Sequence, residues 1–298
     1  MDIDNQKTIT DTIAQLSDIP QGIGNTAPDG TALPMPSTDN LKEIVDLCRE
    51  IIFPGYFGQT PTSPESIKYH IGINVESLTR LLKQEIYSGL CFSDPEKHNN
   101  VATLRKAEST AVQFVAYLPE LRRLLQGDVQ ALYNGDPAST SFSEIIFAYP
   151  AIKAISNYRI AHRLVELGVP LIPRVITEMA HSETGIDIHP GAQIGENFAI
   201  DHGTGVVIGA TCIIGNNVKL YQGVTLGAKS FPLNDNGNPI KGVPRHPIIE
   251  DNVVIYAQAT ILGRITIGKN STIGGNVWIT ENIPQNSKIV QKGAKNYI

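Results

Sequence analysis

Residues 186–227 read IDIHPGAQIGENFAIDHGTGVVIGATCIIGNNVKLYQGVTLG, and residues 248–279 read IIEDNVVIYAQATILGRITIGKNSTIGGNVWI. Every sixth residue from Ile188 gives Ile188, Ile194, Ile200, Val206, Cys212, Val218 and Val224. After a gap come Ile249, Ile255, Ile261, Ile267, Ile273 and Ile279. All of these positions are apolar. In a chain that is 41% hydrophobic, chance produces this on the order of once in a hundred thousand trials, so the repeat is real. Two residues before these positions stand mostly small side chains: Ala192, Thr204, Ala210, Asn216, Ala259 and Ser271. Period-two alternation would suit a sandwich of short strands; a strict period of six does not.

A six-residue repeat is one short strand plus one corner. Three repeats close a triangular coil, and every sixth side chain points inward. The spacing therefore predicts a little over four coils of a parallel β-helix. The gap, AKSFPLNDNGNPIKGVPRHP (228–247), is polar and rich in Pro, Gly and Asn. It must leave the coil, because the sixfold phase resumes after it. A long loop rooted on a rigid scaffold is a functional candidate.

Upstream, from Leu41 to about Gly168, the texture is helical. LKEIVDLCREII places Leu41, Ile44, Val45, Leu47, Cys48, Ile51 and Ile52 on one broad apolar face. Three further stretches continue that spacing, with Pro119, Pro150 and Pro170 expected at kinks or breaks. Residues 1–40 are polar and punctuated, and read as irregular. The expected organisation is α+β: an irregular segment 1–40, a helical domain 41–184, a hexapeptide-repeat β-helix 185–284 with loop 228–247, and a tail 285–298.

Composition narrows the class. The 298 residues carry 24 Lys+Arg against 29 Asp+Glu, a net charge of −5. No global basic field argues for nucleic acid or an anionic membrane. The three Cys are scattered, so no disulfide framework or metal-type pair can be read, which suits a reducing, cytoplasmic setting. MDIDNQKTIT lacks the basic-then-apolar start of a secretory signal. No apolar run of about eighteen residues is present to span a membrane.

Chemistry concentrates in the repeat. His189, His202 and His246 fall in or beside the coils, near Asp187, Asp201 and Arg245. Asp187 precedes His202 by somewhat less than one coil, so the two can meet at one corner. A carboxylate that holds an imidazole in one tautomer makes it a competent general base. Asp201 and Arg245 would then face a zwitterionic substrate. Against this, Asp is also an ordinary corner residue. A zinc site of the three histidines is disfavoured, because DIHP, IDHG and PRHP are not a tight ligand motif. His162 reads as packing, His70 and His98 as surface residues.

IDIHPGAQIG, IDHGTGVVIG, YQGVTLGAKS and RHP, with NGDPAST and NYRIAHRL in the helical half, resemble the serine O-acetyltransferase family of hexapeptide-repeat acyltransferases. The resemblance implies a left-handed β-helix and transfer of an acetyl group from acetyl-CoA to the hydroxyl of L-serine, without a metal. It implies His202 as general base and Asp187 as its orienting carboxylate. Asp136 and Asp201 would hold the substrate amino group and Arg245 its carboxylate, with His246 and Gln222 lining the pocket. Ala257, Thr260, Lys288 and Lys295 are the expected coenzyme contacts. A homotrimer or dimer of trimers with sites between neighbours is implied, as is capture of Ile298 by a cysteine synthase. Hexapeptide repeats alone would also fit an acetyltransferase acting on a sugar or another amine or hydroxyl acceptor.

Overall fold

The computed structural model describes residues 3–18, 30–58, 63–230 and 232–291. Lys295 and Ile298 lie outside the described residues.

Seven α-helices are described ahead of the repeats: α1 (Ile3–Ser17), α2 (Thr38–Ile52), α3 (Pro64–Ser93), α4 (Val101–Gly135), α5 (Phe142–Ala148), α6 (Pro150–Glu166) and α7 (Ile172–Thr184). Helix α1 corrects the expectation that residues 1–40 are irregular. Its threonines and Ser17 turn their hydroxyls back onto carbonyls one turn earlier, Thr8 to Asp4 O at 2.9 Å and Thr12 to Thr8 O at 2.8 Å. They thus satisfy themselves inside the helix, where polar side chains otherwise compete with it. The apolar face of α2 is the expected one: Leu41, Ile44, Val45, Cys48, Ile51 and Ile52 are buried, and Ser37 caps the helix through Asn40 N. Pro119 does not end α4. Buried Phe114, Leu118, Leu121 and Leu125 hold that face through the missing backbone bond. Pro150 starts α6 instead, where its absent N–H is not needed.

The rest is a parallel coil of fourteen short strands. They begin with β1 (Asp187–Ile188), β2 (Gln193–Ile194), β3 (Ala199–Asp201), β4 (Val207–Ile208), β5 (Ile213–Ile214), β6 (Lys219–Tyr221) and β7 (Thr225–Gly227). After the loop come β8 (Ile248–Ile249), β9 (Val254–Ile255), β10 (Thr260–Leu262), β11 (Thr266–Ile267), β12 (Thr272–Ile273), β13 (Trp278–Ile279) and β14 (Lys288–Ile289). They form three parallel sheets, ordered β1-β4-β7-β10-β13, β11-β8-β5-β2 and β14-β12-β9-β6-β3. This is the architecture of a hexapeptide-repeat left-handed β-helix.

The phase of the repeat differs from the simple sixfold count. Asp187 pairs with Val207 but Val207 pairs with Thr225, so the first coil is two residues longer than the next. The extra residues lie in the corner after β3. From there the inward strand residues are Ile208, Ile214, Leu220 and Leu226, while Val206, Cys212, Val218 and Val224 occupy the preceding corner position. Both positions are fully enclosed and apolar, so the insertion left the sixfold hydrophobic pattern unbroken.

One corner carries a ladder absent from the hydrophobic reading. Asn197, Asn217, Asn252, Asn270 and Asn286 all have left-handed backbones, with φ between 56° and 60°. Their side-chain amides chain together over 2.9, 3.0, 3.0 and 3.1 Å. Asn tolerates this conformation, and each amide completes the next coil's hydrogen bonding. Asn217→Ala is expected to cost about 1–2 kcal/mol through the left-handed backbone alone. Asn217→Gly should cost less, and thermal unfolding of the two variants checks the order.

Helices and coil share one hydrophobic core. A buried ion pair pins them together. Arg159 of α6 meets Asp128 of α4 through Nε–Oδ2 at 2.5 Å and Nη2–Oδ1 at 2.7 Å. Phe198 N donates to the same carboxylate at 2.9 Å, and Arg159 Nη2 donates to Gly195 O at 2.9 Å. His162 also packs: it stacks on Tyr158, and its Nδ1 lies 2.8 Å from Pro190 O.

Candidate active site

The corner after β3 carries the first group of polar residues. His202, Gly203 and Gly205 have φ of 58°, 93° and 80°. This glycine-rich bulge is where the two extra residues sit, and it projects His202 outward with its side chain 73% exposed. The imidazole Nε2 lies 3.9 Å from Asp201 Oδ1. Asp201 Oδ2 in turn binds Lys219 Nζ at 2.9 Å.

Asp136, which caps the C-terminus of α4, joins this group. Tyr149 donates to its Oδ2 at 2.5 Å and Ala138 N to its Oδ1 at 2.8 Å. The Tyr149 hydroxyl first, and then that backbone N–H, hold the Asp136 carboxyl below the usual carboxylate range. Its charge is thereby favoured. The same contact pushes Tyr149 up to about 12. In the next coils Gln222 and Ala257 stack at this corner. Gln222 Oε1 is buried without a hydrogen-bond partner among the described residues.

The second group stands at the corner after β1 and β4. Arg245 N and His246 N donate to Thr211 Oγ1 at 2.9 and 3.2 Å. Thr211 N donates to His246 Nδ1 at 3.1 Å, which leaves the ring proton on Nε2. Arg264 Nη1 donates to Thr211 O at 2.7 Å and His246 O at 3.0 Å. These contacts dock the root of loop 228–247 on the coil. The His246 ring fills the space of a side chain at position 209. A Cβ on Gly209 would lie 2.0 Å from it, so only glycine fits there. His189 lies beside it and accepts Gly191 N at 2.9 Å.

Burial first, and then the Arg245 guanidinium, pushes His246 from 6.5 down to about 4. The unfolded chain takes up this proton near 6.5 and the folded chain only near 4. Between those values the unfolded state binds more protons, so stability falls as pH drops through that window. Urea unfolding at several pH values should show a shallower acid limb for His246→Gln than for the parent.

Asp187 lies on β1, in the face between the two corners. Gly205 N donates to Gly185 O at 2.8 Å, so β1 starts directly beneath the His202 bulge. Within one chain Asp187 is paired with Arg174 Nη1 at 3.7 Å and not with His202. Arg174 also binds Glu178, which lies 3.2 Å from His181. Glu178, His181 and Asp187 bring one ligand atom each within 4.8 Å of one another. The Arg174 cation already shares two of the carboxylates, so this cluster is an ion-paired network and fits a metal poorly. Among the described residues, no ion pair connects the His202 group with the Arg245 group.

Thr260 is outward on β10, paired with Thr225 and Trp278 on the same face as Asp187. Lys288 is exposed on β14, in the sheet that carries β3 and β6. Lys219, Tyr149, Arg174 and Arg264 were not singled out in the sequence. Apart from Glu178, which shares α7 with Arg174, their partners lie in other elements, and only a charge at an outward strand position points to Lys219.

Three parallel sheets of six-residue repeats, with a loop returning a basic corner to the coil, define a hexapeptide-repeat transferase. Residues 246–281 match the Bacterial transferase hexapeptide (six repeats) family. A serine acetyltransferase from Synechococcus elongatus is 52% identical over 263 residues, covering 87% of this chain and 82% of the relative. One from Bacillus subtilis is 42% identical over 168 residues, covering 56% and 73%. Crystal structures agree. Entamoeba histolytica serine acetyltransferase 1 in complex with L-cysteine is 36% identical with a TM-score of 0.73, covering 85% of this chain and 86% of that one. The Neisseria gonorrhoeae enzyme in complex with serine is 27% identical with a TM-score of 0.54, covering 85% and 97%. The chain belongs to the serine acetyltransferase family and is an acyltransferase.

Proposed function

We propose that the protein transfers the acetyl group of acetyl-CoA directly to the hydroxyl of L-serine. The observation that carries this reading is the charge division around His202. Two carboxylates, Asp136 and Asp201, flank the imidazole at one corner, and a guanidinium, Arg245, stands at the other. That pattern complements a small zwitterion. The serine and L-cysteine complexes of the structural relatives support it. A sugar acceptor would have no use for such a clamp.

His202 takes the serine hydroxyl proton as the oxygen attacks the thioester carbonyl; the tetrahedral intermediate then collapses, the C–S bond breaks, and the imidazolium returns that proton to the departing CoA thiolate, leaving O-acetylserine. Asp187, whose strand starts beneath the His202 bulge, would leave its contact with Arg174 when substrate binds, orient the imidazole and stabilise the imidazolium. No cysteine competes as an acyl carrier among the described residues: burial pushes the thiols of Cys48 and Cys212 up to about 12 and raises that of Cys91 in α3. Ala257, Thr260 and Lys288 line the approach proposed for the coenzyme, which acts as co-substrate.

The two charged groups stand at opposite edges of one face of the prism. Copies packed side by side bring one edge against the other, so the complete site forms between neighbours in a trimer. Thiol release from acetyl-CoA should require serine, should not follow a panel of sugars, and should persist with a chelator. Loss of serine dependence would overturn the reading. Subunit mixing tests the shared site. His202→Ala and Arg245→Ala should each be nearly inactive, yet co-assembled trimers should recover about a quarter of the parent rate, the chance that neighbours contribute both intact halves. Mixed trimers without recovery would place both halves in one chain.

A further inference from the structure

We propose that Lys219 is a positioning residue that sets the spacing and the net charge of the amino-group pocket. This rests on the serine reading above. Lys219 is the first residue of β6, yet its ammonium reaches across to the helical half. Nζ donates to Gly135 O at 2.7 Å and pairs with Asp201 Oδ2 at 2.9 Å. It also sits 4.5 Å from the Tyr221 ring centroid. Tyr221 is itself stacked on Tyr256 at 4.9 Å and 11°, so the aromatic side of this cradle is braced. The Lys219 and Asp201 side chains are only 14% and 12% exposed. This is a desolvated contact, unlike the exposed ion pairs elsewhere, which contribute little.

Gly135 immediately precedes Asp136. One ammonium therefore ties together the two segments that carry the proposed amino-group carboxylates: the C-terminus of α4 and the end of β3. A compact tetrahedral donor suits three partners in different directions, a carbonyl, a carboxylate and a ring face. The charge count matters as well. Asp136 and Asp201 bring two negative charges, and Lys219 cancels one. It thereby offsets the repulsion between them and holds the two carboxylates at a fixed separation; without it they are free to move apart and lose the substrate ammonium between them.

Lys219→Met keeps the aliphatic stem and removes the donor. The KM for serine should rise about tenfold, on the scale of one lost charge-assisted contact, with kcat and the KM for acetyl-CoA within about twofold of the parent. Lys219→Arg should recover part of that loss. A purely structural role predicts the opposite split: a lower unfolding temperature and a lower apparent kcat, with the serine KM unmoved. If Lys219→Met does not fold, Lys219→Gln, which can still donate to Gly135 O but carries no charge, should show the same KM rise. An unchanged serine KM in a folded, uncharged variant overturns this inference alone. Absence of serine-dependent turnover in the parent overturns the functional reading, and this inference with it.

Discussion

His202→Ala is expected to lower turnover by about a hundredfold to ten-thousandfold, the usual contribution of a positioned general base. The side chain is 73% exposed on a glycine-rich bulge, with Asp201 3.9 Å from its Nε2. Its loss should leave the fold intact, so the activity change is chemical. Asp187→Asn should keep weak activity, because the imidazole remains but loses the carboxylate proposed to orient it. The measurement is steady-state thiol release at saturating serine and acetyl-CoA, with thermal unfolding recorded on the same samples. A near-normal rate in His202→Ala would remove the histidine from the mechanism and leave direct transfer without a base.

Asp128→Ala should have the largest effect on stability. Asp128 is fully buried and Arg159 is 6% exposed. The carboxylate accepts two bonds from Arg159 and one from Phe198 N. Removing it strands a guanidinium in the core and orphans a backbone N–H where α4, α6 and the first coil meet. Breaking such a pair from one side costs about 3–5 kcal/mol. Replacing both members, Asp128→Leu with Arg159→Met, should recover much of that loss, because no charge is then left unpaired. Urea unfolding of the single and double variants decides the matter. Equal destabilisation by both would mean that the pair contributes through packing alone.

Much of this was open to reading along the chain, for a definable reason. A six-residue repeat is a local rule: each strand and corner uses residues adjacent in sequence, so Ile249, Ile255, Ile261, Ile267, Ile273 and Ile279 announce the coil without any knowledge of partners. The buried face of α2 is equally local. The helix at residues 3–17 does not show in composition, because it is mostly polar and the Ile9, Ile13 and Leu16 that recur at helical spacing on it stay exposed. The two-residue insertion at the His202 corner was hidden because strand and corner positions are both apolar. Composition does not distinguish them, whereas the register of β1 against β4 does.

The residue types of the site were visible as motifs, DIHP, DHGTG and RHP, but their grouping was not. Sequence alone determined the coil, the extruded loop and the presence of a histidine, carboxylates and an arginine within two coils. Tertiary structure decided which of these meet. It put Asp136 beside His202 by ending α4 at that corner, paired Asp187 with Arg174, and moved Arg245 and His246 to another corner through Thr211. It also brought Lys219 to Gly135, 84 residues away. The physical reason is range. Hydrophobic periodicity records which face of a short segment is buried, whereas a charged contact depends on how distant segments are docked, and no local pattern encodes that distance.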